Sequence, residues 1–401
     1  MPSTSFVSTP MLLRRLTHVA VLILLPAASL LNPASSLGQA PTEPIPADSF
    51  PAEQSSGTTQ SKVIEELPKI PSGLNRGFSI VRKPAKRVTA TIEFAVETPS
   101  LQANTWIFAM PEPPNLPSQK RIQSTTTPDS EIVADKSALQ RSIRRCRIEV
   151  SDESQRSIAK FRCDDELQLF ARSLTFDKRA TKPNDDVAPL SVADREHFLM
   201  PTPELDYQSE TFQAWKSRNR FRRRKTEGEV KFAQRVFQTL AHTYQYSYVP
   251  SEDRTASLLC QSDATDCGGL STLFATVMRS EGVPARILSG RWAISATPGE
   301  TVDDQPYYQY HVIAEFYAQG VGWIPLDTSS AILHDRTPAK LRFFGQSPGD
   351  FITYHVDPGV EFDTDLYGDY RTAYFQIPLM WVSGQGTLEQ FSHQESWTVQ
   401  P

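Results

Sequence analysis

The sequence predicts an α+β fold in two parts, a β-sandwich-like domain followed by a helix packed on an antiparallel sheet. Residues 87–176 show the period-two alternation of half-buried strands. Leu270, Leu273, Phe274, Val277 and Met278 then recur at the helical period. Two strand-like runs, 310–317 and 323–327, follow around a Gly320-Val321-Gly322 turn. At 401 residues the chain exceeds one ordinary domain. Its 39% hydrophobic content and net charge of −5 fit a soluble globular protein with no global pull toward nucleic acid.

Residues 1–40 resemble a secretory signal. Arg14 and Arg15 give a basic start, 19–31 an apolar stretch, and Gly38-Gln39-Ala40 a small-residue cleavage site; Met11 would begin a more compact version. The apolar run is short and broken by Pro26, which favours cleavage over a single-pass anchor. No cysteine follows it to take a lipid, and the flanks of Arg14-Arg15 match a twin-arginine signal poorly. No other run could span a bilayer, so the mature chain is expected in the periplasm or outside the cell, without an integral membrane segment. Residues 41–86, rich in Pro, Ser, Thr and Gln, read as a disordered linker.

Residues 87–190 form the expected N-terminal β domain. Val88, Ala90, Ile92, Phe94 and Val96 alternate, and Trp106, Phe108 and Met110 repeat the period. Cys146, Ile148 and Val150 share one strand face; Ala159, Phe161 and Cys163 share another. Folding these strands about Ser154-Gln155 would set Cys146 opposite Cys163. In an oxidising compartment that pair could form a disulfide, and two unpaired core thiols are the other reading.

The second part spans 201–401. Its basic run, Arg218, Arg220, Arg222, Arg223, Arg224 and Lys225, reads as a solvated loop. Binding of an anionic polymer is the functional alternative, although only Phe221 interleaves with the charges, so no stacking platform is built. Thr226 and Glu229 make a capping box for a helix with the stripe Ala233, Val236, Phe237, Leu240, Ala241 and Tyr244. In the next helix Asp266 is a candidate N-cap and Cys267 stands in the first turn. A thiol there sits among unpaired N–H groups at the positive end of the dipole, a setting that favours thiolates. Gly268-Gly269 would let a substrate backbone approach. An inert cysteine belongs inside the apolar stripe, and Cys267 precedes it. Gly282 fits a left-handed C-cap, Pro284 stops the helix, and a strand follows over 285–294.

His311 lies near the start of run 310–317 and Asp327 ends run 323–327. A hairpin of these runs would offer Cys267 an imidazole base and the imidazole a carboxylate to orient it. A lone strand histidine is usually structural and a lone Asp ending a strand is usually a turn residue; the ordered set is far more specific. The stretches DCGGLSTLFATVMRSEGVPARILSGRW and HVIAEFYAQGVGWIPLD resemble the transglutaminase-like superfamily, which is papain-related in geometry. The resemblance covers roughly 201–401, and its specific part is 266–327. It implies a papain-like core behind a β-sandwich, with Cys267 as nucleophile, His311 as base and Asp327 as orienting acid. Gly282, Pro284, Ala285 and Arg286 match the family's helix-to-strand exit, and Gly322, Trp323 and Pro325 its hairpin exit. Animal members add an upstream tryptophan to the oxyanion hole. This chain has none between Lys216 and Arg291, which leaves Gln261 or one of Tyr244, Tyr246 and Tyr248 beside a backbone N–H near Cys267.

No cofactor motif is present. Cys260, Cys267 and His311 lack the paired-cysteine knuckle of a zinc site, and the run 363–368 puts Tyr367 at a calcium-ligand position, so no metal is expected. Short aromatic-rich strands within 346–401 are expected to complete the core sheet and wall one side of the cleft. His355 and His393 read as core or surface histidines rather than extra bases. Together these features describe an exported cysteine-dependent acyl-transfer enzyme acting on peptide or side-chain amides. Hydrolysis is favoured over transamidation, because water is abundant and no amine-binding feature is visible. A protein or peptide is the expected substrate, with cell-envelope material a candidate partner and nucleic acid not expected. The alternatives are a catalytically silent module of the same fold that binds peptides or envelope polymers, and a structural envelope protein.

Overall fold

The computed structural model describes residues 74–153, 156–179, 187–249, 252–297, 299–302, 305–306, 309–335 and 341–401. The expected secretory signal and residues 41–73 of the expected linker lie outside these residues. The longer strands of the first part are β1 (Phe78–Glu97), β2 (Leu101–Pro111), β3 (Gln119–Thr127), β4 (Glu131–Ala134), β5 (Ser142–Glu149) and β6 (Ile158–Phe176). Those that follow are β7 (Ala285–Trp292), β8 (Tyr310–Ala318), β9 (Gly322–Leu326), β10 (Phe351–Val356), β11 (Leu379–Gly386) and β12 (Ser392–Gln400). The helices are α1 (Val192–His197), α2 (Glu210–Arg218), α3 (Glu229–Thr243), α4 (Ala256–Leu259), α5 (Cys267–Ser280) and α6 (Thr328–His334).

The first part is a sandwich of two antiparallel sheets. In one, β1 lies between β6 and β12, and β3 pairs with the far side of β6; the other runs β11-β2-β5-β4. Residues 78–86, taken from the sequence as the end of a linker, are strand: β1 and β6 pair from Phe78 opposite Phe176 to Glu97 opposite Ile158. Most of 78–86 is exposed, so backbone pairing rather than an apolar face makes this stretch extended. A bulge between Pro84 and Arg87 takes up the proline, which has no N–H for the ladder.

The alternating residues behave as the pattern predicts. Val88, Ala90, Ile92, Phe94 and Val96 meet Trp106, Phe108 and Met110 in one core. Two pairings differ. The expected hairpin of β5 on β6 does not form: β5 pairs β2 and β6 pairs β1, so Cys146 lies opposite Phe108 and Cys163 opposite Ile92. Both thiols are buried and free. The link between these strands is instead ionic, with Arg144 of β5 donating to buried Asp165 of β6 at 2.7 Å. The end of the chain also divides. Strand β10 joins the core sheet as expected, whereas β11 and β12 pair with β2 and β1 of the sandwich.

The second part is built around α5, in which every residue from Gly268 to Arg279 is buried. It packs on α3, α4 and α6 and on a four-stranded antiparallel sheet of order β9-β8-β7-β10. The stripe Leu270, Leu273, Phe274, Val277 and Met278 is fully buried, which at roughly 1.5–3 kcal/mol per side chain explains why the helix is fixed so firmly. Gly282, at φ 76°, reverses the chain into β7. Helix α3 begins differently from the capping-box expectation. Gly228 is its N-cap, and Glu229 turns inward to accept a 2.5 Å bond from Asn75. Among the described residues no helix is long and apolar enough to cross a membrane.

Candidate active site

Cys267 is the first residue of α5, partly exposed, with Asp266 as the N-cap accepting from the Gly269 N–H at 3.0 Å. Arg254 clamps Asp266, its Nε 3.0 Å from both carboxylate oxygens. The two glycines do not open the site to substrate as the sequence suggested. A Cβ on Gly268 would lie 2.9 Å from Arg254 and 3.2 Å from Tyr374, and one on Gly269 would lie 2.0 Å from Thr265 Oγ1. The protein's own side chains fill that space. The glycines let the clamp close on the helix start.

His311 stands on β8 one residue from its start, and Asp327 follows β9 as the N-cap of α6. The β8–β9 hairpin brings them together, with His311 Nε2 2.8 Å from Asp327 Oδ2. The Cys267 thiol acts on the imidazole to raise its pKa; since Nε2 faces the carboxylate, Nδ1 is the nitrogen left for sulfur. Burial alone would lower the His311 pKa, but the charge and hydrogen bond of Asp327, with the thiol, carry it up to about 10. Burial pushes Asp327 up, and His311 and Ser330 outweigh that, holding it at about 2. The remaining acceptor sites of Asp327 are filled: Ser329 Oγ at 2.8 Å and Ser330 N at 2.9 Å on Oδ1, and Ser330 Oγ at 2.6 Å on Oδ2. The pair is thus an imidazolium and a fully partnered carboxylate at neutral pH.

Several residues of this site carry no signal in the sequence. Trp292 stacks on the His311 ring at 4.5 Å and 22°, and Phe351 meets it edge-on at 6.0 Å. A loop before β11, residues 373–378, ties the nucleophile helix to the base strand. Tyr374 Oη donates to Gly268 O at 3.2 Å and lies 3.1 Å from Thr272 Oγ1. Gln376 Nε2 donates to His311 O at 2.8 Å and to Gly290 O at 2.7 Å. Between them the Phe375 N–H donates to His355 Nε2 at 3.0 Å, while His355 Nδ1 is 2.9 Å from Asp357 O. Burial lowers the His355 pKa to about 3, so this histidine is a neutral strut.

The other sequence candidates sort by location. His393 sits on β12 in the sandwich, stacked on Phe391. Cys260 is buried, with its thiol 3.3 Å from Ser257 O. Of the candidates for a second oxyanion donor, Gln261 bonds Ser257 O and Tyr244 bonds Leu259 O. Tyr248 shares with Tyr374 the charged surroundings of Cys267, Asp266 and Arg254, and burial raises its pKa. No group of three or more His, Cys, Asp or Glu side chains among the described residues is placed to hold a metal ion.

Residues 218–328 match the family model described as the transglutaminase-like superfamily. That segment contains Cys267 and His311 and ends one residue past Asp327. The chain therefore carries a transglutaminase-like core behind an N-terminal strand domain. Similar solved structures include one described as a putative cysteine protease from Cytophaga hutchinsonii, at 13% identity, TM-score 0.47, over 79% of this chain and 92% of that one. Another is the periplasmic domain of TgpA from Pseudomonas aeruginosa, at 11% identity, TM-score 0.30, over 62% of this chain and 89% of that one. No curated protein matches the sequence.

Proposed function

We propose that the chain is an exported cysteine-dependent acyl-transfer enzyme that hydrolyses peptide or side-chain amides through Cys267, His311 and Asp327. The observation that carries this reading is the 2.8 Å contact of His311 Nε2 with Asp327, which leaves Nδ1 as the nitrogen that can serve the thiol at the helix start. The thiolate sulfur attacks the amide carbonyl carbon as its C=O π pair moves to oxygen. Collapse of the tetrahedral adduct breaks the C–N bond, and the proton on His311 Nδ1 goes to the departing amine. A water then gives a proton to His311 as its oxygen attacks the thioester, and collapse of that adduct breaks the C–S bond, which releases the acid and restores the thiolate–imidazolium pair. The N–H of Cys267 supplies one oxyanion donor. The secretory pattern of residues 1–40 supports an address in the periplasm or outside the cell.

The test is incubation of the chain with casein and with a casein-derived peptide mixture, with and without a primary amine, read by mass spectrometry. Hydrolysis predicts new termini or deamidated side chains, absent with Cys267→Ala although that variant unfolds at the same temperature. Amine adducts in place of hydrolysed products would shift the reading to transamidation. A fully active Cys267→Ala variant would remove the nucleophile assignment. Peptide retention without turnover, and with His311→Ala failing to change Cys267 alkylation, would leave the silent binding module.

A further inference from the structure

The basic run between α2 and α3 is the solvated loop expected of it, with Arg218, Arg220, Arg222, Arg224 and Lys225 exposed, and it is braced from within. Phe221 is 1% exposed and anchors the loop in the core beside Trp215. Arg235 of α3 reaches back to Arg220 O at 2.8 Å and Arg222 O at 3.1 Å, and pairs with Glu227. Arg223 N donates to Glu281 at 2.9 Å and Arg223 Nη1 to Glu227 O at 3.0 Å. Arg220 is held at φ 56°, a left-handed conformation that costs a non-glycine residue about 1 kcal/mol.

This scaffold lines an open groove of about 720 Å³ with Arg220, Arg222, Arg223, Arg224, Lys225 and Arg235. Among the described residues the side chains of Arg220, Arg222 and Lys225 form no ion pair, and Arg224 adds only its charge to a Glu227 that Arg235 already holds. Elsewhere arginines are commonly paired, as in Arg144–Asp165 and Arg286–Glu315. A chain of net charge −5 thus holds like charges together in a braced, strained loop, an arrangement that a bound anion stabilises.

We propose that this groove binds a phosphate-bearing linear polymer that has no bases. Arginine predominates, and its fork matches phosphate oxygens two at a time, whereas ammonium acts as a point charge. The one aromatic in the run is buried, so nucleobases have nothing to stack on. None of the exposed large apolar residues falls between 218 and 239, so the groove has no group to insert into a bilayer. Its position separates it from the candidate catalytic centre. Glu281, which holds Arg223, is the C-cap of α5, while Cys267 begins that helix; its 14 residues span roughly 21 Å. A polymer in the groove would tether the protein and leave the cleft open.

The experiment is titration of the whole chain, lacking only residues 1–40, with long-chain inorganic polyphosphate at several salt concentrations. Poly-glutamate, a single-stranded oligothymidylate and vesicles of phosphatidylglycerol serve as competing probes. Polyphosphate should bind at 50 mM salt, with log K falling linearly against log salt as counterions are released. R222A/R224A/K225A should weaken it at least tenfold and flatten that slope, while unfolding at the same temperature as the wild type. A second variant, R222K/R224K, keeps the charge and should lose affinity severalfold. Failure of the wild type to bind, or equal binding by the triple variant, would overturn the proposal. Equal or tighter binding of poly-glutamate would refute phosphate recognition, and tighter binding of the oligothymidylate or the vesicles would assign the groove to nucleic acid or to membrane instead.

Discussion

Replacing Asp327 with Asn tests the site most sharply, because the geometry dictates how the substituted side chain must sit. Asp327 accepts from Ser329 Oγ and Ser330 N on one oxygen, and from Ser330 Oγ and His311 Nε2 on the other. An asparagine has one acceptor oxygen, and two donors including a rigid backbone N–H fix it on the Oδ1 side. Its NH₂ then faces His311 Nε2 and makes that nitrogen the acceptor. The ring is driven into the Nδ1–H tautomer, and the nitrogen beside the thiol can no longer take a proton. The charge effect acts in the same direction. With the carboxylate gone, burial remains, and the His311 pKa falls from about 10 toward or below its ordinary 6.5. At pH 7.5 the imidazolium fraction drops from about 99% to under about a tenth. Turnover should fall on the order of 10³–10⁴-fold, and iodoacetamide labelling of Cys267 at pH 7.5 at least about tenfold. The labelling assay is clean, since the other three cysteines are buried. The stability difference has a fixed sign. A raised histidine pKa contributes stability that is full below about 6.5 and lost as pH rises through about 10, so the variant's deficit in melting temperature should shrink between pH 6.5 and pH 10.5. Labelling at the wild-type rate by a folded variant would refute the coupling of Asp327 to the thiol.

Gln376→Ala removes two hydrogen bonds from the β7–β8 edge, those to His311 O and Gly290 O. At about 1–3 kcal/mol the melting temperature should fall by several degrees, and calorimetry with Cys267 labelling would show both the loss and a slower thiol reaction. His355→Gln should flatten the pH dependence of urea unfolding between pH 4.5 and 6.5. The folded pKa of His355 is depressed to about 3, so its contribution to stability is present above about 6.5 and lost as pH falls toward 3, with a slope of up to about 1.4 kcal/mol per pH unit. A slope unchanged in the variant would exclude His355 as the source. Gly269→Ala places a Cβ 2.0 Å from Thr265 Oγ1, itself bonded to Glu252 at 2.6 Å. It should cost more than about 2 kcal/mol, and adding Thr265→Ala should restore part of it; strict additivity of the pair would contradict the contact.

What the sequence reveals and hides follows from the range of the interactions. The α5 signals are local: a cap, a helical stripe and a left-handed glycine within 17 residues, and all of them act where they were expected. The hairpin that joins His311 to Asp327 is nearly as local, at 16 residues apart. Strand pairing in the sandwich is not. β1 finds β12 some 300 residues away, so β5 and β6, which look like neighbours with matching faces, belong to different sheets. Thr226 fits a capping box by pattern, yet Glu229 has a better partner in Asn75, 154 positions earlier. Gln376 and Tyr374 are equally silent. Their roles arise because the 373–378 loop lands across two elements whose meeting point no local period encodes.

The same long-range pairing makes the last strand a support for the candidate site. Glu395 of β12 pairs with buried Arg291 of β7 and accepts from Tyr310 Oη at 2.8 Å. Tyr310 is the neighbour of His311, and Arg291 lies opposite Tyr310 in the sheet, next to Gly290 opposite His311. A second buried bridge, Arg172 of β6 to Glu315 of β8, fixes the other end of the same strand. The sandwich thus grips β8 at both ends. Removing one partner of a buried pair costs about 3–5 kcal/mol, because the other charge stays behind. Glu395→Gln should therefore destabilise the whole chain in one transition, with the sandwich and the core melting together, and deletion of 392–401 should slow Cys267 labelling by iodoacetamide at neutral pH to the rate of an ordinary thiol. Wild-type labelling in that deletion would mean that β8 holds His311 without the sandwich. Two separate transitions in Glu395→Gln would mean that the interface is a contact between independent bodies.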